Sequence, residues 1–397
     1  MELAPLYLKK NEDRRIRGGH LWVYSNEVDN QRSPLPSFQA GQQILMLDHA
    51  GKPLGSGYVN PHTLICARLV SRDAQYRLDA SLLVHRLQVA LALRERLWSR
   101  PFYRLLHGEG DAVPGLVVDR FGDVLVAQLN TAGMQAAQEA IVTALDRLLR
   151  PKAVLLRNDS PLRALEGLPL SVELVLGELP EQVEIEENGA RFQVSSTEGQ
   201  KTGWYYDHRE NRARLQRYVT GARVLDLFSY TGAWGIQAAV AGARAVTLVE
   251  SSELAQQQAR GNAVLNGVGD KVSTLTADVF DVLRQLRAEQ QRFDIVVADP
   301  PAFIKRKKDL KTGMEAYQRL NRMAMQVLAK DGVLVSASCS FHLATQQLRG
   351  ILVAGARHLD RSLQILEQGH QAPDHPMNPA IPETDYIKCF FGRVLPA

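Results

Sequence analysis

From about residue 181 onward, short apolar, β-prone runs alternate with segments of helical period. ARVLDLF, AVTLVE, KVSTLTAD, FDIVVAD and GVLVSAS read as strands. Gly235 to Ala241, Ser252 to Leu265 and two later segments between those strands read as helices. Strand–helix alternation of this kind predicts an α/β domain built on a doubly wound parallel sheet. An acidic stretch (Glu178, Glu181, Glu184, Glu186, Glu187) and Asn188-Gly189, a strong type I′ hairpin signal, precede it.

The preceding 180 residues follow other patterns. Residues 1–72 carry short apolar runs around turns, QQILMLDHAGKPLGSGYVN and TLICARLV, punctuated by glycines, which predicts a small β-barrel. Residues 73–180 mix a long helix from Asp79 to Arg100, a strand pair in GLVVDRFGDVLVAQL, a helix from Ala136 to Leu149 and the strand AVLLRND. That segment predicts an α+β middle domain and shows no motif that carries chemistry. The expected division is 1–72, 73–180 and 181–397.

Composition narrows the class. A length of 397 residues suits two or three domains, and an apolar fraction of 45% suits ordinary globular cores. The net charge of +4 permits a polyanionic partner without requiring one. Three widely spaced cysteines, Cys66, Cys339 and Cys389, argue against a disulfide framework or a zinc site and suit a reducing compartment. The first residues show no signal-peptide pattern and no apolar run reaches 18 residues, so the expectation is a cytoplasmic chain without a metal or a membrane span.

The chemistry concentrates at the ends of the predicted parallel strands, where open α/β sheets form ligand crevices. VLDLFSYTGAWG places Asp226 at a strand end, followed by the loop Phe228, Ser229, Tyr230 and Thr231 closing on Gly232. The loop opens a helix but lacks the G-x-G-x-x-G of a dinucleotide site. Glu250 ends the next strand, near the offset at which an acid takes ribose hydroxyls, and Asp278 ends the third, where it suits an adenine amino group. Each acid alone reads equally well as a helix cap. Three at successive strand ends beside a Gly turn point to S-adenosylmethionine.

ADPPAF ends the fourth strand. Asp299 is assigned to both cofactor and base, and with Pro300 and Phe303 it suits the amino edge of a nucleobase. Lys305, Arg306, Lys307 and Lys308 follow and are assigned to RNA phosphates, although such a run is elsewhere a solvated loop. Cys339 in SASCS ends the fifth strand between Ser338 and Ser340, which favours a nucleophile, whereas Cys66 and Cys389 sit in apolar runs and read as core. Near the amino terminus, Lys9, Lys10, Arg14, Arg15 and Arg17 lie beside Trp22 and Tyr24. Cations beside rings suit RNA, and a solvated charged turn with Trp22 in the core is the competing reading.

These strings resemble the ribosomal RNA large subunit methyltransferase I family, over nearly the whole chain. The resemblance implies a Rossmann-like class I methyltransferase sheet behind a PUA-like RNA-binding barrel. It implies methyl transfer from S-adenosylmethionine to carbon 5 of a cytosine in 23S ribosomal RNA, with Cys339 as nucleophile and Asp299 as the base-binding acid. A homodimer is implied as well. EGQKTGWYYDHRENR is similar to a family segment and nominates Lys201, Gly203, Tyr205, Asp207 and Arg209 for the cofactor or base pocket. DHPMNPAIPETDYIKCFFGRV nominates His375 and Tyr386 near the substrate. His208 stands where Gln is common in the family.

Two other functions fit the residues. One is methylation of an RNA nitrogen on the same fold, which needs no thiol. The other is a non-catalytic RNA-binding or assembly factor, against which the intact strand-end acids and ADPP argue.

Overall fold

The structure, a computed structural model, describes residues 3–180, 182–195 and 202–397. The chain packs as two units. One holds Met1–Val183, Ser195–Tyr206 and Pro373–Thr384, and the other Glu184–Val194, Asp207–Ala372 and Asp385–Ala397.

In the first unit, strands Ala4–Tyr7, Trp22–Tyr24, Gln43–Leu47, Pro53–Val59 and Ile65–Ser71 form a five-stranded sheet over a core that includes Leu6, Val23, Ile44, Met46 and Leu69. A second five-stranded sheet runs from Phe102–His107 through Ser171–Gly177 and carries two packed helices, Ala80–Leu97 and Gln138–Leu149. Asp79 caps the first of these helices by accepting from the Leu82 N–H. The helix expected from Ala136 to Leu149 is two pieces, because Thr131 caps a short turn Ala132–Ala136 ahead of it. The two segments, read from sequence as separate domains, share one unit because buried polar groups join them. The Tyr58 hydroxyl donates to the Pro114 carbonyl at 2.7 Å, and Arg68 pairs with Glu166 at 2.8 Å with both side chains nearly buried.

The hairpin Gln182–Glu187 and Ala190–Ser195 lies mostly in the second unit, and its turn residues Asn188 and Gly189 have φ of 52° and 82°. Positive φ at both positions is the type I′ geometry that matches strand twist. Glu187 is buried and accepts from the Arg212 guanidinium at 2.6 and 3.0 Å, so this acid anchors the helix Arg209–Leu215 rather than facing water.

Seven strands follow, labelled here β1 (Arg223–Leu227), β2 (Ala245–Glu250), β3 (Val272–Thr276), β4 (Phe293–Ala298), β5 (Leu328–Ser338), β6 (Arg361–Gly369) and β7 (Lys388–Pro396). Their order is 3-2-1-4-5-7-6, with β1 to β5 parallel and β7 antiparallel to both neighbours. The helices between them are α1 (Ala233–Val240), α2 (Glu253–Leu265), α3 (Val279–Ala288), α4 (Leu310–Gln326) and α5 (Thr345–His358). The order reverses beside β1, so the carboxyl ends of β1 and β4 flank a switch-point crevice. Among the described residues no helix is long and apolar enough to cross a membrane.

Helix α1 lies close on the sheet because Gly235 has no side chain. A Cβ there would meet Leu248 at 2.3 Å and Val246 at 2.8 Å. Gly235→Ala should therefore cost roughly 1–3 kcal/mol of stability by overpacking. Urea unfolding measures this, and an unchanged midpoint would contradict the close approach.

Candidate active site

The crevice begins with Asp226, fully buried at the end of β1. Its Oδ2 accepts from the Gly235 N–H at 2.9 Å, which fixes the carboxylate under the first turn of α1. Its Oδ1 has no hydrogen-bond partner among the described residues, and neither has Ser229 Oγ nor Thr231 Oγ1, both also buried. Buried polar atoms are almost always paired, and leaving one unpaired costs about 1–3 kcal/mol. Three orphans on one strand end and its loop are therefore groups suited to a ligand.

The same loop is bent. Phe228, Tyr230 and Gly232 have φ of 61°, 48° and 87°. Left-handed geometry at two bulky residues is strained and persists where neighbours hold it. One holder is Glu250 at the end of β2, whose Oε2 accepts from the Tyr230 N–H at 3.1 Å while Oε1 accepts from the Ser251 and Ser252 N–H groups at 2.8 and 3.0 Å. The Ser251 hydroxyl also donates to Oε1, at 3.1 Å, so Oε1 carries three donors while Oε2 carries one and keeps a lone pair for a ribose hydroxyl. Asp278 caps α3 by accepting from Phe280 and Asp281 N–H through Oδ1, and it is exposed. The cap leaves Oδ2 for a ligand. A buried carboxyl, orphaned hydroxyls and a strand-end acid together fit a nucleoside cofactor with a cationic end.

On the β4 side, two residues to which the sequence reading gave no role lie against Asp299, one of them by a hydrogen bond. Trp234 Nε1 donates to Oδ2 at 3.0 Å, and His208 Nε2 lies 3.5 Å from Oδ1. Pro300 is buried. Phe303 packs 4.9 Å from the Tyr317 ring and 6.4 Å from Phe228 between ring centres, so it is a wall of the crevice, not a free stacking surface. Lys305, Arg306, Lys307 and Lys308 are all exposed, and only Arg306 of the four is ion-paired among the described residues, to Asp309.

Cys339 follows β5 directly and is partly exposed. The serines on either side tie its strand end to the ADPP loop. Ser338 donates to the Tyr317 hydroxyl at 2.8 Å, Ser340 Oγ lies 3.0 Å from that hydroxyl, and the Ile304 N–H donates to Ser340 Oγ at 3.2 Å. Lys388 adds the element that sequence reading missed. It faces Ser338 across β5 and β7, is buried, and donates from Nζ to the carbonyls of Ser340 at 3.2 Å and Tyr386 at 3.3 Å. Burial lowers the Lys388 pKa, while the Asp385 and Cys339 charges raise it. The same proximity makes the ammonium a stabiliser of a Cys339 thiolate. The other thiols differ. Burial pushes Cys66 up to about 12 and Cys389 well above the ordinary thiol range, so both are core.

Two residues nominated together do meet: the Tyr386 hydroxyl donates to Asp207 Oδ2 at 2.9 Å. Arg209 is buried beside Glu187. Gly203 and the half-buried Tyr205 belong to the first unit, and Lys201 lies outside the described residues.

Three nominated RNA contacts have partners within the protein. His375 is buried, bonded to Asp374 at 2.8 Å and packed 4.8 Å from the His107 ring. Trp22 donates to Glu109 at 2.9 Å, and Arg15 forms a two-pronged pair with Glu27. Arg17 is exposed but bridged to Asp48 and Asp13, which diminishes its charge. Lys9 donates to the Asn26 carbonyl and Arg14 to Asn11, and both keep their charges at the surface with Lys10.

Comparison with known proteins agrees with this arrangement. Residues 103–383 match the family described as S-adenosylmethionine-dependent methyltransferase, and residues 6–72 match a PUA-like domain. The chain is 38% identical over 392 residues to ribosomal RNA large subunit methyltransferase I of Shewanella denitrificans, covering 98% of each chain. It is 37% identical over 395 residues to the protein of that name from Klebsiella pneumoniae, again over 98% of each. The crystal structure of SMU.776, classed as a methyltransferase and complexed with SAH, shares the fold with a TM-score of 0.84 at 21% identity, over 98% of this chain and 100% of that one.

The buried carboxylate makes a pH-dependent prediction. Desolvation pushes Asp226 up to about 8, helped by the Asp299 and Glu250 charges and opposed by the Gly235 N–H. A carboxyl whose folded pKa exceeds its unfolded value near 4 contributes stability that is full below pH 4 and lost as pH rises through about 8. Asp226→Asn abolishes that titration. Without cofactor, its unfolding free energy should gain on wild type by up to about 1.4 kcal/mol per pH unit between pH 5 and 8, while cofactor binding weakens by roughly 1.5–3 kcal/mol. Parallel pH profiles for the two proteins would remove Asp226 as a titrating buried acid.

Proposed function

Since the chain belongs to the ribosomal RNA large subunit methyltransferase I family of S-adenosylmethionine-dependent enzymes, we propose that it methylates carbon 5 of a cytosine in 23S ribosomal RNA through a transient bond to Cys339. The observation that carries the reading is a partly exposed thiol whose neighbour Ser340 accepts from a buried ammonium, on a strand end joined by hydrogen bonds to the loop that bears Asp299.

The cofactor is S-adenosylmethionine, which supplies an electrophilic methyl group when bound. Asp226, Ser229, Thr231 and Glu250 are the residues that would hold it, and Asp278 would take the adenine amino group. The remaining chemistry belongs to the protein and the base. Carbon 5 of cytosine is a weak nucleophile because reaction there breaks ring conjugation. Addition of the Cys339 thiolate to carbon 6 moves the ring electrons toward carbon 5 and divides one hard step into two easier ones. Asp299, fixed by Trp234, accepts from the cytosine amino edge and so orients the ring for attack by the thiolate. After transfer, loss of the carbon-5 proton to a base restores the double bond and expels the thiolate. Lys388 acts throughout as the charge that keeps sulfur anionic.

The base must leave its stack for carbon 6 to be reached. The exposed lysines of the segment after ADPP and the PUA-like match support RNA as the partner. Nitrogen methylation on the same fold would use Asp299 but would leave both Cys339 and Lys388 without work, because nitrogen already carries a lone pair.

RNA bearing 5-fluorocytosine at the target should trap a covalent complex that survives a denaturing gel, since fluorine cannot leave as a proton does. Cys339→Ala should bind cofactor normally, form no adduct and give essentially no turnover. Normal methylation by that variant would overturn the carbon-5 reading. Lys388→Met should move the pH profile of Cys339 alkylation to higher pH, and each pH unit it moves removes about nine-tenths of the thiolate present at neutral pH. An unmoved profile would show that Lys388 is only a packed side chain.

A further inference from the structure

Helices α3, α4 and α5 carry a second concentration of charge that the proposed chemistry does not use. Arg284 and Arg287 lie one turn apart on α3, and Arg319 and Arg322 one turn apart on α4. With His358 at the end of α5 they line an open cavity of about 450 Å³. Among the described residues no carboxylate lines it. The Arg319 guanidinium sits 4.6 Å from the centre of the Phe280 ring, which orders it without neutralising it. Arg284 is bridged to Asp281. Arg287 and Arg322 are exposed, with no ion-pair partner among the described residues.

Helix dipoles favour cations in a last turn, which accounts for Arg287 alone on α3. Arg284 and Arg319 lie further back, where that effect has faded, and like charges one turn apart repel. Convergent guanidinium forks around a cavity are the donor set that suits phosphate oxygens. The position adds direction. Lys305 to Lys308 stand just before α4, Lys311 is exposed in its first turn, and Arg322 is about 16 Å further along the axis at 1.5 Å per residue. That distance spans several phosphates of a polynucleotide.

We propose that this cavity takes phosphate groups of the RNA backbone flanking the methylated nucleotide, with α4 as the track along which that RNA leaves the catalytic edge. The proposal rests on the RNA methyltransferase reading above. Its test uses the full chain and transcribed 23S ribosomal RNA, with affinity measured across a salt series. Arg287→Gln with Arg322→Gln should make log affinity against log salt shallower by about 1.4, the loss of two single-strand contacts. The KM for RNA should rise severalfold, while kcat at saturating RNA and cofactor affinity stay at wild-type values. Arg287→Lys with Arg322→Lys should restore most of the slope, because charge and not side-chain shape sets it.

An unchanged slope in the Gln variant, with wild type showing strong salt dependence, would overturn the cavity as an RNA contact and leave the methyltransferase reading standing. The RNA contact is equally overturned if inorganic phosphate raises the Tm of wild type but not of the Gln variant while their RNA slopes agree, since the site would then serve a small anion. Wild type that binds no RNA would defeat both readings together.

Discussion

The cofactor side of this protein depends on one buried carboxylate. Asp226 gives Oδ2 to the Gly235 N–H and so sets the start of α1, but Oδ1 and the nearby Ser229 and Thr231 hydroxyls are left without protein partners among the described residues. Such groups cost the fold stability, and the bent loop at Phe228 and Tyr230 adds to that. The surroundings hold the arrangement. Glu250 grips the Tyr230 N–H, and the absence of a side chain at Gly235 lets α1 approach β2 closely enough to keep the carboxylate covered. Local rules of stability are broken here together, which is where function is expected to reside.

The reactive side follows from a different constraint, the insertion of β7 between β5 and β6. An antiparallel strand at that place sets Lys388 opposite Ser338 and its ammonium on the carbonyl of Ser340, next to Cys339. Two carbonyls, of Ser340 and Tyr386, satisfy the ammonium there. The serines flanking the cysteine, with Tyr317, tie that strand end to Ile304, so thiol and base-binding acid are set by one connected network. The placement of the Lys388 charge against the strand end that bears Cys339 thus follows from the topology of the last strand.

The parallel strands were legible because burial on both faces demands continuous apolar runs, and ARVLDLF or FDIVVAD cannot pack otherwise. The acids at their ends, the Asn188-Gly189 turn and the cofactor class followed from position alone. What escaped was set by partners distant in sequence. A charge run reads the same whether solvated or paired, and Arg15 and Arg17 find Glu27 and Asp48 only in the folded chain. Trp22 meets Glu109, and His375 meets His107, across similarly long separations. Lys388 was invisible for the opposite reason. A lysine before CFFGRV looks like a strand border, and nothing local announces that its charge is buried beside a thiol. Trp234 and His208 on Asp299 are likewise products of loop closure.

In the proposed mechanism carbon, not nitrogen, receives the methyl group, which gives both the Cys339 thiol and the Lys388 ammonium work to do. The most direct measurement is nucleoside analysis of 23S ribosomal RNA methylated in vitro with isotopically labelled S-adenosylmethionine. The label should appear in 5-methylcytidine. Label in a nucleoside methylated on a ring or exocyclic nitrogen would contradict the mechanism.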